Sequence, residues 1–231
     1  MKFKLGALLA AIALFAAAPV FAGNITFDFG NCSTISSAVT GCPGDLGTSS
    51  ATFTAGTFNV TATGYSSATA TNNLFVKGPG TGAVGAEDGL GLTGTSENEI
   101  NFGQYIYLDL TNLASQGVDS AVIGLGSLQS GEMAMLCPTT AVGTPGSTGC
   151  QTVGETGSTT IGSATVNFGT TANPWTIFDL TVPSASQGNF LVLGSVSVAP
   201  TPEPATLVLF GTALIGLGLI SKRFRSAKDL R

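Results

Sequence analysis

Histidine is absent from this sequence. From Gly23 to Thr201 arginine is absent as well, and Lys77 is the one basic side chain. Each gap removes a class of function. Without histidine there is no Ser-His-Asp or Cys-His arrangement and no ordinary zinc site. Without arginine there is no bidentate clamp for phosphate or carboxylate. The same stretch carries eleven acids, Asp28, Asp45, Glu87, Asp88, Glu97, Glu99, Asp109, Asp119, Glu132, Glu155 and Asp179. Eleven acids against one base leave a charge of −10 there, which the whole-chain value of −5 conceals. Nucleic acid is excluded as a partner, because no basic surface exists to neutralise phosphates. A paired-carboxylate glycosidase needs only two acids, but nothing in the spacing sets two of them across a sugar. The expectation is a protein without enzymatic activity.

The basic residues sit at the two ends. Lys2 and Lys4 precede a run of apolar and small residues, Leu5 to Ala18, followed by Pro19 and Val20-Phe21-Ala22. This is the three-part pattern of a secretory signal peptide over residues 1–22, cut by signal peptidase after Ala22. A retained N-terminal anchor fits less well, because the apolar core is short and a usable cleavage site follows it. The second apolar run, Ala205 to Ile220, would span about 24 Å as a helix, somewhat less than a bilayer core. Bilayer thinning and snorkelling by Lys222, Arg223 and Arg225 would cover the shortfall. A buried core helix would show a polar face, whereas this run has only Thr206 and Thr212 as polar members. Residues 205–221 are therefore expected to be a transmembrane helix. The positive-inside rule keeps the basic tail, 222–231, in the cytoplasm with the bulk of the chain across the membrane.

Between the ends the chain reads as short β-branched or aromatic runs punctuated by Gly, Pro, Asn and Ser. They are Ile25–Phe29, Thr52–Ala62, Leu74–Val76, Ile100–Leu110, Ala121–Leu128, Glu132–Cys137, Ala164–Phe168, Trp175–Val182 and Asn189–Val198. No helical period lasts three turns. Nine or ten strands point to an all-β domain over 23–198, an antiparallel β-sandwich of jelly-roll type. Its expected core holds Phe27, Phe53, Phe58, Ile106, Leu108, Ile123, Ile177 and Leu193. Gly78–Gly94 reads as an extended loop in which Leu90 and Leu92 want burial. Residues 199–204 read as a linker. Cys32 and Cys42 bracket one Ser/Thr/Gly loop, and Cys137 and Cys150 bracket another. Export makes disulfides the expectation. Of the three possible pairings, the two local ones are favoured, because each closes a short Gly/Pro-containing loop.

One interior stretch stands out. Glu87, Asp88, Glu97 and Glu99 fall within thirteen positions with no compensating base nearby in sequence. Crowded carboxylates repel unless solvated, protonated or bridged by a cation, and calcium is the natural bridge outside the cell. A solvated acidic loop is the plainer reading. Glu99, beside an expected strand start, is the leading ligand or structural anchor. Trp175, Tyr105 and Tyr107 are rings that can stack on sugars, although a single Trp beside Pro174 in a sandwich is more often core or edge packing.

Pro202-Glu203-Pro204, the apolar run after it and the Lys222/Arg223/Arg225 cluster together resemble the PEP-CTERM sorting signal of Gram-negative bacteria. The resemblance covers about the last thirty residues. It implies recognition by an exosortase, a membrane transpeptidase acting near Pro202–Pro204, in a host that makes exopolysaccharide. Gly89-Leu90-Gly91, Asn98-Glu99-Ile100 and Gly126-Ser127-Leu128-Gln129 with Gly131-Glu132 are similar to segments of exported domains that carry such tails, which implies fold and location but no activity. The expected protein is a cell-surface or matrix component of a biofilm. A calcium-assisted carbohydrate-binding module on the same fold is the alternative.

Overall fold

The computed structural model describes residues 23–78, 88–94, 97–156, 161–184 and 191–199. The N-terminal segment 1–22, the transmembrane run 205–221 and the tail 222–231 expected from sequence lie outside them. Among the described residues no helix is long and apolar enough to cross a membrane.

Among the described residues thirteen strands are formed in this order: β1 Ile25–Asp28, β2 Gly44–Asp45, β3 Ser50–Ala55, β4 Phe58–Tyr65, β5 Leu74–Lys77, β6 Gly89–Leu92, β7 Tyr105–Asp109, β8 Ser120–Gly126, β9 Met133–Thr139, β10 Gln151–Gly154, β11 Gly162–Asn167, β12 Ile177–Thr181 and β13 Val192–Val198. A short helix, α1 (Thr111–Ser115), and a 3-10 turn at Cys32–Thr34 interrupt them. One sheet runs β11-β8-β13-β6-β5-β2, with β1 also pairing β13; the other runs β10-β9-β12-β7-β4-β3. All named pairs are antiparallel. The expected antiparallel two-sheet architecture is present, with more strands than the eight of a jelly roll.

Period-two alternation builds the sheets. In β11, Gly162, Ala164 and Val166 are buried while Ser163, Thr165 and Asn167 are exposed. In β4, Val60, Ala62 and Gly64 point inward. Both sheets contribute to one apolar cluster, in which Phe29 and Phe53 meet edge to face at 4.5 Å. A side chain added at Gly64 of one sheet would strike Leu92 and Leu74 of the other. Six of the eight expected core residues are fully buried, namely Phe27, Phe53, Ile106, Leu108, Ile123 and Leu193. Phe58 and Ile177 are only half-buried, because each is the first residue of its strand.

The abundant hydroxyls occupy outer strand faces as cross-strand pairs: Ser50 with Thr63 at 3.1 Å, Thr52 with Thr61 at 3.0 Å and Thr26 with Ser197 at 3.0 Å. Such pairs knit neighbouring strands on the side that faces water.

Three sequence expectations change. Thr52–Ala62 is a hairpin rather than one strand; the chain turns at Gly56, whose φ of +64° suits glycine. Its turn is held by α1, where Asn112 Oδ1 accepts from Asn59 N–H at 2.8 Å and Gln116 Nε2 donates to the Thr57 carbonyl at 3.0 Å. Within Ile100–Leu110 only Tyr105–Asp109 is a strand, and Ile100 makes a single bridge to Leu191. Gly89–Leu92 is no loop but β6, buried at all four positions and hydrogen-bonded between β5 and β13. Its glycines answer a packing demand. A Cβ on Gly91 would lie 2.0 Å from the Asn98 carbonyl oxygen, so residues 97–99 can cross the outer face of this sheet only over glycine.

Candidate functional site

The crossing at β6 determines where the acidic stretch goes. Lys77 ends β5 opposite Gly89, with its ammonium 2.5 Å from Glu99 Oε1. Ser127 Oγ donates to the same oxygen at 2.9 Å. Lys77, Glu99 and Ser127 are all buried. Asn98 and Ser127 both adopt left-handed backbone, with φ of 54° and 59°, to bring the three together. Glu99 is therefore a structural anchor, and the domain's single base is its partner. The expectation that these acids lack a compensating base is corrected: Lys77 is 22 residues away in sequence but adjacent in space. Asp88 and Glu97 are exposed, and Glu87 lies outside the described residues. No group of three or more acidic, cysteine or histidine side chains suited to a metal ion exists among the described residues. Of the acids expected to bind calcium, the three described ones, Asp88, Glu97 and Glu99, form no such group, and Glu99 is engaged by an ammonium.

Both local disulfides form, Cys32–Cys42 with Cα atoms 5.7 Å apart and Cys137–Cys150 at 4.1 Å. The second closes a loop that folds over the outer face of the six-stranded sheet. There Cys137, Asp179, Tyr107 and Thr63 form a row across four adjacent strands. The Gly146 N–H donates to Asp179 Oδ1 at 3.0 Å, and Thr139 Oγ1 donates to the Thr144 carbonyl. Beneath this cover Tyr107 packs edge-on to Tyr65 at 5.1 Å and stacks with Tyr105 at 6.1 Å. Tyr107 Oη and Asp179 Oδ2 are buried without a hydrogen-bond partner among the described residues. Burial raises the Asp179 carboxyl to about 6, against a smaller lowering by the Gly146 N–H. Burial and the nearby Asp179 carboxylate push the Tyr107 phenol upward as well. Tyr107, fully buried, is not available to stack on a sugar; Trp175 remains 39% exposed.

Sequence reasoning missed Lys77 and Asp179 for the same reason. Each lies on the outward face of its strand, where alternation reads as solvent, and each is covered by a segment distant in sequence. The lone lysine ending the apolar LFVK run was the available signal for the first. Nothing local marked the second.

Taken together these features define a small, disulfide-bonded domain of two packed antiparallel sheets whose outer faces are covered in places by loops. The family model described as the PEP-CTERM protein-sorting motif matches residues 200–223. The chain thus carries that sorting motif, which implies export, membrane-associated sorting and processing by an exosortase. Pro202, Glu203, Pro204, Lys222 and Arg223 fall inside the match and Arg225 two residues past its end, and all six lie outside the described residues. No curated protein and no solved structure matches the chain.

Proposed function

We propose that this is a non-enzymatic cell-surface or matrix protein, exported, held at the inner membrane by residues 205–221, cut by an exosortase near Pro202–Pro204 and delivered to the extracellular polysaccharide. The observation that carries the reading is the sorting motif at 200–223, which begins two residues after β13 ends. The motif thus adjoins a folded, acidic, disulfide-stapled domain with no basic groove and no histidine. Such a domain has what an oxidising exterior requires and lacks the histidine that most often activates a serine or cysteine nucleophile.

Intact-mass measurement of the protein from its host tests this. The expected mass lacks residues 1–22 and the segment after the cut, and retains both disulfides. In a host lacking the exosortase, the C-terminal segment is expected to stay attached. An unchanged C-terminal mass in both hosts would reject the processing step.

A further inference from the structure

An open-sided depression of about 190 Å³ lies where the edge strands of the two sheets, β10 and β11, come together. Its lining includes Trp175, Asn173, Asn167, Gln151, Thr148 and Phe178, and none of its lining residues is charged. It is smaller than the roughly 300–1,000 Å³ sites that enclose drug-sized ligands, and it is open to solvent on one side.

Three properties of this groove converge. First, Trp175 is the chain's only tryptophan and keeps 39% of its surface in contact with water, although an indole buried in the core would contribute more stability. Second, the side-chain amides of Asn167 and Asn173 make no hydrogen bond to the described residues, and both residues are exposed; an amide offers donors and an acceptor together, as a sugar hydroxyl requires. Third, both walls are fixed in advance. Cys137–Cys150 pins Pro138 and Gly149 on one side. On the other, the Thr170 N–H donates to the Asn173 carbonyl at 3.0 Å, the Asn173 N–H to Thr170 Oγ1 at 3.0 Å and the Gly169 N–H to the Trp175 carbonyl at 3.2 Å. Gln151 Nε2 is tied to the Thr165 carbonyl at 3.1 Å. Pre-set walls reduce the ordering cost of binding.

We infer that this groove binds one ring of a neutral hexopyranose polymer, with Trp175 supplying the apolar platform and Asn167 and Asn173 reading hydroxyls, without calcium. An anionic polymer is disfavoured, because the groove has no cation and the domain has one lysine, already engaged by Glu99. The inference deepens the surface-protein reading by naming a ligand class. It is tested on the unprocessed chain in vitro, so its failure would leave the processing test untouched.

Trp175 is itself the probe. The full chain, in a detergent without a sugar headgroup, is titrated with six-unit malto-, cello- and manno-oligosaccharides while its emission is followed. The expected result is a saturable shift with at least one series, unaltered when calcium is replaced by EGTA. The double variant Asn167→Ala/Asn173→Ala is expected to bind about tenfold more weakly or worse at an unchanged melting temperature. Should that variant melt early, Trp175→Ala, followed by affinity electrophoresis through the responding polymer, is expected to lose its retardation. No saturable shift with any neutral series, a response to alginate alone, or full affinity in the altered chains would overturn the inference.

Discussion

Asp179 is a carboxyl placed where its charge is unwelcome. Inside the fold it titrates near 6, against 3.8 for an ordinary aspartate, so the neutral form is the one the fold favours. Its favourable contribution is complete below about pH 4 and is lost as pH rises through 6. At neutral pH the buried charge costs on the order of 3 kcal/mol. Asp179→Asn is therefore expected to raise the melting temperature at pH 7.5 and to change it little at pH 4. The amide keeps an acceptor for the Gly146 N–H and gains a donor. Melts of both proteins across that range check the prediction, and a loss of stability at pH 7.5 would contradict it. The Lys77–Glu99 pair behaves in the opposite way. Each charge is tolerable because the other is there, so removing one strands a buried ion. Lys77→Met and Glu99→Gln are each expected to cost about 3–5 kcal/mol, while the double variant should recover much of the loss. Denaturant midpoints for the four proteins of the cycle measure this, and strict additivity would refute it.

At the scale of elements, parts of the outer faces of both sheets are covered by segments that the local pattern does not announce. The clean alternations in β8 and β11 made those strands legible, and the cysteine spacing made both disulfides legible, whereas β3 and β4 were merged because no sequence signal but Gly56 marks their turn. Gly89-Leu90-Gly91-Leu92 was misread, because glycine is the common signature of a loop and of a strand that another backbone crosses; only the position of Asn98 tells them apart. Trp175 was visible as a sugar-stacking ring, but its asparagine neighbours come from β11 and a turn whose meeting depends on tertiary contact. The loop closed by Cys137–Cys150 covers Asp179 and also forms a wall of the groove. Replacing both cysteines with serine is expected to remove about 3 kcal/mol of stability. It should also return the Asp179 carboxyl toward the ordinary aspartate range, because its cover is released. Thermal melts and carboxyl NMR titration read the two effects, and an unshifted Asp179 in the reduced-loop variant would show that the strands alone bury it.

The molecule as a whole separates its charge. Residues 23–201 carry −10, while five of the other basic residues fall between 222 and 231. That division was fully readable from the sequence, as was the sorting motif, because both depend on composition and order along the chain rather than on contacts in space. Residues 24–200 form one compact unit. Its last strand, β13, is not an edge. It lies inside the seven-stranded sheet, paired with β8, β6 and β1, and the sorting motif follows two residues later. If the cut end becomes a point of attachment, any tug from outside enters the domain along a strand gripped on both flanks. Its many backbone bonds would then be loaded together in shear rather than peeled apart one after another. The placement of one strand would thus help the domain resist mechanical drag applied at that end.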